Sequence, residues 1–144
     1  MVPENHQSYV YVGLAGEGDN IGEGGLYRWA EGEDEWQSIT AGLLPNPQVR
    51  ALSIHPVDPK QLFAGTNQGV FWSQDRGDHW EALQKPGAGM DVWSLAFHPQ
   101  EPATIFAGYE PCAIRRSQDG GETWQRMNTD KVVFPHITTF MPPL

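Results

Sequence analysis

At 144 residues and 16.0 kDa, with six tryptophans, the chain is long enough for one domain with a real core and too aromatic for a disordered acidic tail. A formal net charge of −9 sets the surface against phosphate backbones and excludes nucleic acid as an expected partner. One cysteine, Cys112, excludes an internal disulfide and a cysteine-based zinc cluster, while 16 Gly and 12 Pro argue for many turns and against long helices.

The N-terminal stretch MVPENHQSYVYVG has neither a basic start nor an apolar run, so no signal peptide is read there. No stretch approaches the ~20 apolar residues that span a bilayer, and a soluble chain, cytoplasmic or already processed, without membrane contact is expected. The first predicted strands are YVYVG (9–13) and GLYRW (25–29), separated by the long glycine-rich segment LAGEGDNIGEGG (14–25). The segment WAEGEDEW then ends at Trp36.

A second set follows: VRALSI, QLFAG, GVFWS and HWEAL, running from Val49 to Leu83. The turn HPVDP joins the first two, its prolines ending one strand and fixing the reversal. A third set from Val92 repeats the second: Leu52/Leu95, His55/His98, Pro56/Pro99, Phe63/Phe106, Ala64/Ala107 and Gly65/Gly108. After one inserted residue near Cys112, SQDRGDHW (73–80) aligns with SQDGGETW (117–124), which places Trp80 and Trp124 44 residues apart. Trp36 stands 44 residues before Trp80, so the N-terminal set is a worn copy. Four short strands per period of about 40–50 residues is the pattern of a β-propeller blade. The expected fold is therefore all-β, with blades of four antiparallel strands. About three repeat units are read, at 8–48, 49–91 and 92–130, the first lacking its innermost strand, and 131–144 as a tail or the start of a further unit.

Within the box SQDRGDHW, Asp75 is placed to accept hydrogen bonds from its own turn, Ser73 to brace it and Gly77 to supply a positive φ; Trp80 buries its ring at the next strand. Ser117, Asp119, Gly121 and Trp124 have the same roles in the copy. Ser-x-Asp-x-Gly-x-Thr-Trp resembles the Asp-box, or BNR repeat, of sialidases, sortilin-type receptors, photosystem II assembly factors and uncharacterised bacterial propellers. SQDGGETW fits at every defined position, and SQDRGDHW departs only at His79. The paired HP…P…FAG is similar to the bacterial, glycosyl-hydrolase-like branch. The resemblance covers roughly 9–141 and implies a propeller whose boxes lie on the rim opposite the usual binding face. It speaks for fold more than for activity. Three units leave an open flank, so either the chain belongs to something longer or copies assemble into a homo-oligomer that closes the ring.

Ligands of such folds sit over the central channel, on the loops between second and third strands and between blades. The candidate binding-face residues are Glu17, Asp19, Asn20 and Glu23 in the long glycine-rich loop, with Asn67, Asp91, Tyr109 and Glu110. The loop fails the EF-hand spacing because Ile21 occupies a ligand position, and no Lys-Ser/Thr follows to make a phosphate loop. No metal, cofactor or catalytic residue is assigned. A sialidase-like arginine triad cannot be assembled: Arg50 alone lies on a predicted inner strand, with Trp93 as its counterpart, and Arg76, Arg115 and Arg116 fall elsewhere. His55 and His98 precede prolines and read as turn residues, and Cys112 as a spectator thiol. The function expected is a non-catalytic binding or assembly module for a carbohydrate or a protein surface. The alternative is part of a glycoside hydrolase whose catalytic groups lie in other blades or another chain.

Overall fold

The computed structural model describes residues 6–16, 22–83, 90–110 and 113–128. Three antiparallel sheets and no helix occur among them. The first sheet orders β1 (Tyr9–Leu14), β2 (Gly25–Ala30) and β3 (Gln37–Ser38). The second orders β4 (Val49–Ile54), β5 (Leu62–Thr66), β6 (Gly69–Ser73) and β7 (Glu81–Leu83). The third orders β8 (Asp91–Phe97), β9 (Ile105–Glu110), β10 (Ala113–Ser117) and β11 (Gln125–Arg126). In the first sheet no strand among the described residues stands where β4 and β8 stand in the other two, so β1 is an edge of the described sheet. The all-β, four-stranded pattern is as the sequence repeats predict.

The sheets stack in chain order, β1 against β4 and β8 against β4 and β5. Strand alternation explains how one sheet serves two cores. On β5, Leu62 and Ala64 face the first sheet with Leu26, Ile39, Phe71 and Trp80, while Phe63 faces the third sheet with Val92, Ile105 and Trp124. β5 is consequently buried at all its positions. Each fully buried side chain of this kind contributes about 1.5–3 kcal/mol, so the two inter-sheet layers hold the stack. Glycine permits the close approach between sheets: a Cβ at Gly65 would lie 2.7 Å from Val92 Cγ1, and one at Gly13 2.6 Å from Val49 Cγ1.

The turns between third and fourth strands close as clasps. Ser73 Oγ donates to Asp75 Oδ1 (2.8 Å) and accepts from the Gly77 N–H (2.8 Å), while Asp75 Oδ1 accepts from the His79 N–H (2.9 Å). Ser117, Asp119, Gly121 and Thr123 repeat these contacts. Gly77 and Gly121 have φ of 92° and 100°, which a side chain resists. Burial works against the Asp75 charge, but hydrogen bonds from the His79 ring and N–H and from Ser73 outweigh it, holding the carboxyl at about 2. Asp119 is lowered to about 2 by the Thr123 hydroxyl, the Thr123 N–H and Ser117. His55 Nδ1 accepts from the Val57 and Asp58 N–H groups, and His98 Nδ1 from those of Gln100 and Glu101, which makes both histidines turn caps.

Two expectations change in detail. The outer strands are shorter than HWEAL suggests, because β3, β7 and β11 pair on one side only and their residues are mostly exposed. The tryptophans at the repeated position also part company. Trp80 (3% exposed) and Trp124 (8%) each fill the layer toward the preceding sheet, whereas Trp36 is 49% exposed. Val10, Val12 and Leu14 on β1 are exposed as well, since no described sheet covers that face of β1.

Candidate functional site

Antiparallel order sends the β4–β5 and β6–β7 turns, and their copies, to one rim, and the β5–β6 turn and the connections between sheets to the other. The second rim, opposite the clasps, gathers the starts of the innermost strands β4 and β8. Both strands are irregular there. Val49 pairs with Thr66 but Ala51 with Gly65, so Arg50 is an extra residue; Val92 pairs with Tyr109 but Ser94 with Gly108, so Trp93 is its equivalent. A β-bulge at the same place in both sheets takes Arg50 and Trp93 out of the ladder and re-aims their side chains.

The two bulged residues meet. Arg50 Cζ lies 4.7 Å from the Trp93 ring centroid, a stacking distance for a guanidinium on an indole. Arg50 Nη1 also lies 3.1 Å from Asp91 Oδ2. That ion pair does not satisfy the nitrogen: Arg50 Nη1 is buried and makes no hydrogen bond among the described residues. Asp91 pairs across the ladder with Glu110, adding a second carboxylate at the rim. Trp93 keeps 49% of its surface exposed despite carrying the arginine. The arrangement combines an open aromatic face, a guanidinium stacked on it and acceptor carboxylates. It offers apolar contact together with hydrogen bonding.

The remaining sequence candidates are dispersed. Glu17, Asp19 and Asn20 lie outside the described residues. Glu23 lines a separate depression with Tyr27, Thr40 and Pro47. Asn67 works as a latch, its Oδ1 accepting from the Gln48 N–H (3.1 Å) and its own N–H donating to the Gln48 carbonyl (3.2 Å). Buried Gln48 in turn accepts from the Gly16 N–H and donates to the Gly22 and Asn46 carbonyls, which ties down both ends of the glycine-rich loop. Tyr109 faces the core between the second and third sheets; burial raises its hydroxyl pKa, partly offset by Arg115 over the ring. Asp91 and Glu110 are thus the candidates that the structure brings together. Arg50 and Trp93 were passed over in the sequence, although their occurrence at equivalent positions was visible. Among the described residues no group of three His, Cys, Asp or Glu side chains is placed to hold a metal.

No family model matches the chain, and no curated protein matches it. Solved structures do. The chain is similar to an ancestral GH74 enzyme (TM-score 0.61, 24% identity, covering 72% of this chain and 15% of that one). It is similar to the GH74 xyloglucanase from Xanthomonas campestris (TM-score 0.62, 17% identity, 79% and 20% covered) and to YCF48 bound to D1 peptide (0.58, 16%, 80% and 34%). The fold is an incomplete β-propeller. The chain spans 15% to 34% of the length of these proteins, and at such identities the likeness concerns the fold. In propeller terms the second and third sheets are four-stranded blades, and the bulges of β4 and β8 lie on innermost strands, at the mouth of the channel such blades surround.

Proposed function

We propose that the chain is a non-catalytic binding segment of an Asp-box-type propeller, with a carbohydrate chain as its ligand. The observation that carries this reading is the bulge-borne pair, Arg50 stacked on an exposed Trp93 and held beside Asp91. A pyranose ring presents an apolar C–H face that suits an indole, while its hydroxyls need donors and acceptors in the plane around it. Trp93 supplies the first, and Arg50, Asp91 and Glu110 the second. A bulge retained in two blades, but filled by different side chains, fits a recognition position better than a folding one. GH74 enzymes, one of them a xyloglucanase, share the blade architecture, which makes xyloglucan oligosaccharide the first probe.

The test is titration of the full chain with xyloglucan oligosaccharide, followed by tryptophan fluorescence and by release of reducing ends. Binding without release is expected, and Trp93→Ala weakens it at least about tenfold, the loss of one aromatic anchor. Arg50→Ala weakens it as well. Binding that is indifferent to both substitutions refutes the site, and release of reducing ends that Asp91→Asn abolishes refutes the non-catalytic reading.

A further inference from the structure

We infer a second ligand site on the clasp rim, in the cleft between the first and second sheets, for a sugar acid bound through its carboxylate. The cleft has a volume of about 510 Å³, within the range of small-molecule sites. Arg28, Lys60 and Arg76 all line it, three of the nine basic residues of a chain whose net charge is −9. Arg28 is committed: Nη1 lies 2.9 Å from Asp78 Oδ1 and 2.9 Å from the Arg76 carbonyl oxygen. Arg76 and Lys60 make no ion pair among the described residues. The Arg76 guanidinium instead lies over the Tyr9 ring at 5.2 Å, with Arg28 at 6.0 Å from the same ring.

Architecture does not account for these residues. The next cleft, between the second and third sheets, is built from the same repeat and has Gln61, Trp72, Ala103 and Gly120 in the places of Tyr9, Arg28, Lys60 and Arg76. The turn in particular does not want an arginine. Arg76 has φ of 59°, the left-handed region, where its counterpart Gly120 (φ 74°) is free of any Cβ penalty. A strained backbone holding a cation at a cleft wall is the kind of feature that marks a binding position.

The rest of the lining selects the ligand. Glu33, Asp75 and Asp78 stand on the same walls and repel a polyanion, as does the net charge. One carboxylate at Arg76 and Lys60, with hydroxyls donating to Glu33 and to the amide of Gln74, matches both signs at once. A hexuronate carries that combination, and a neutral hexose lacks its anchor.

The full chain is titrated with sodium D-galacturonate at low salt by amide NMR, with D-galactose and sodium sulfate at matched ionic strength as comparisons. Saturable shifts at residues 9, 28, 60 and 76 are expected for galacturonate alone. Arg76→Gly, the residue its sister turn already uses, weakens binding about tenfold or more, since a charge-assisted contact is lost. Its melting temperature equals or exceeds that of the parent, which separates lost binding from lost folding. Lys60→Ala weakens binding independently, and Trp93→Ala leaves it unchanged, so this site stands or falls apart from the oligosaccharide site on the other rim. An equal response to galactose or to sulfate, absence of saturation, or galacturonate binding unaltered by Arg76→Gly overturns the inference.

Discussion

Trp36 and Trp80 occupy one position of the repeat and should differ by several kcal/mol in what they contribute. Trp80 is 3% exposed between the first and second sheets, and its indole N–H donates to the Ile39 carbonyl at 2.9 Å. Truncation to alanine removes a buried aromatic from a packed layer and costs about 3–5 kcal/mol. That is about a fifth or more of the ~5–15 kcal/mol available to a small domain. Trp80→Phe keeps most of the ring but strands the Ile39 oxygen, at about 1–3 kcal/mol, and serves where the alanine variant does not fold. Trp36, at 49% exposure, loses little: Trp36→Ala stays within about 0.5 kcal/mol. Urea unfolding followed by far-UV circular dichroism, which reads the backbone of all the sheets, measures all three. A cost of 2 kcal/mol or more for Trp36→Ala, or one below ~0.5 kcal/mol for Trp80→Phe, refutes the assignment of these layers.

The clasps set a pH response. Asp75 and Asp119 have folded pKa values of about 2, below the ordinary 3.8, so their contribution is complete above pH ~4 and is lost as pH falls toward 2. Urea midpoints at pH 2–5 should show Asp119→Asn less stable at pH 5 and less sensitive to acid. His79 is raised by its hydrogen bond to Asp75, so what it adds is present below its ordinary 6.5 and fades as pH rises through the higher folded value. His79→Thr, which copies Thr123, should remove that decline between pH 6 and 9. Adjacent glycines give a steric contrast in the other clasp. Gly120→Ala has open space and only its φ of 74° to pay, about 1 kcal/mol, whereas a Cβ at Gly121 would stand 2.7 Å from Leu83 Cδ1 at φ 100°, raising the cost to about 2–4 kcal/mol in thermal unfolding.

The blades were legible because the strands recur and each turn repeats its breakers: Leu62, Phe63 and Ala64 return as Ile105, Phe106 and Ala107. The bulges were less visible, since one extra residue leaves composition untouched. A trace existed nonetheless. Val49 and Leu52 pack in the same layer although they are three positions apart, which a regular strand forbids and a bulge explains. Asp91 and Glu110 could be placed on the rim by topology, but the contact of Asp91 with Arg50 was not readable from it, because Arg50 stands at that irregularity. The cleft at Arg28 and Arg76 was illegible for another reason. Its walls come from different repeats, 48 residues apart, and each arginine alone looks like ordinary surface charge.

The bulge also separates two demands that a strand position normally has to meet together. Residues in the ladder must suit their cross-strand neighbours, so a change of side chain there is also a change of stability. Residues 50 and 93 have no cross-strand partner. One blade displays a cation there and the next an indole, on the same backbone. Such positions behave as interchangeable fittings on a fixed frame: exchanging Arg50 and Trp93, or placing other side chains at them, changes what this rim displays while the hydrogen-bonded ladder around them keeps its register.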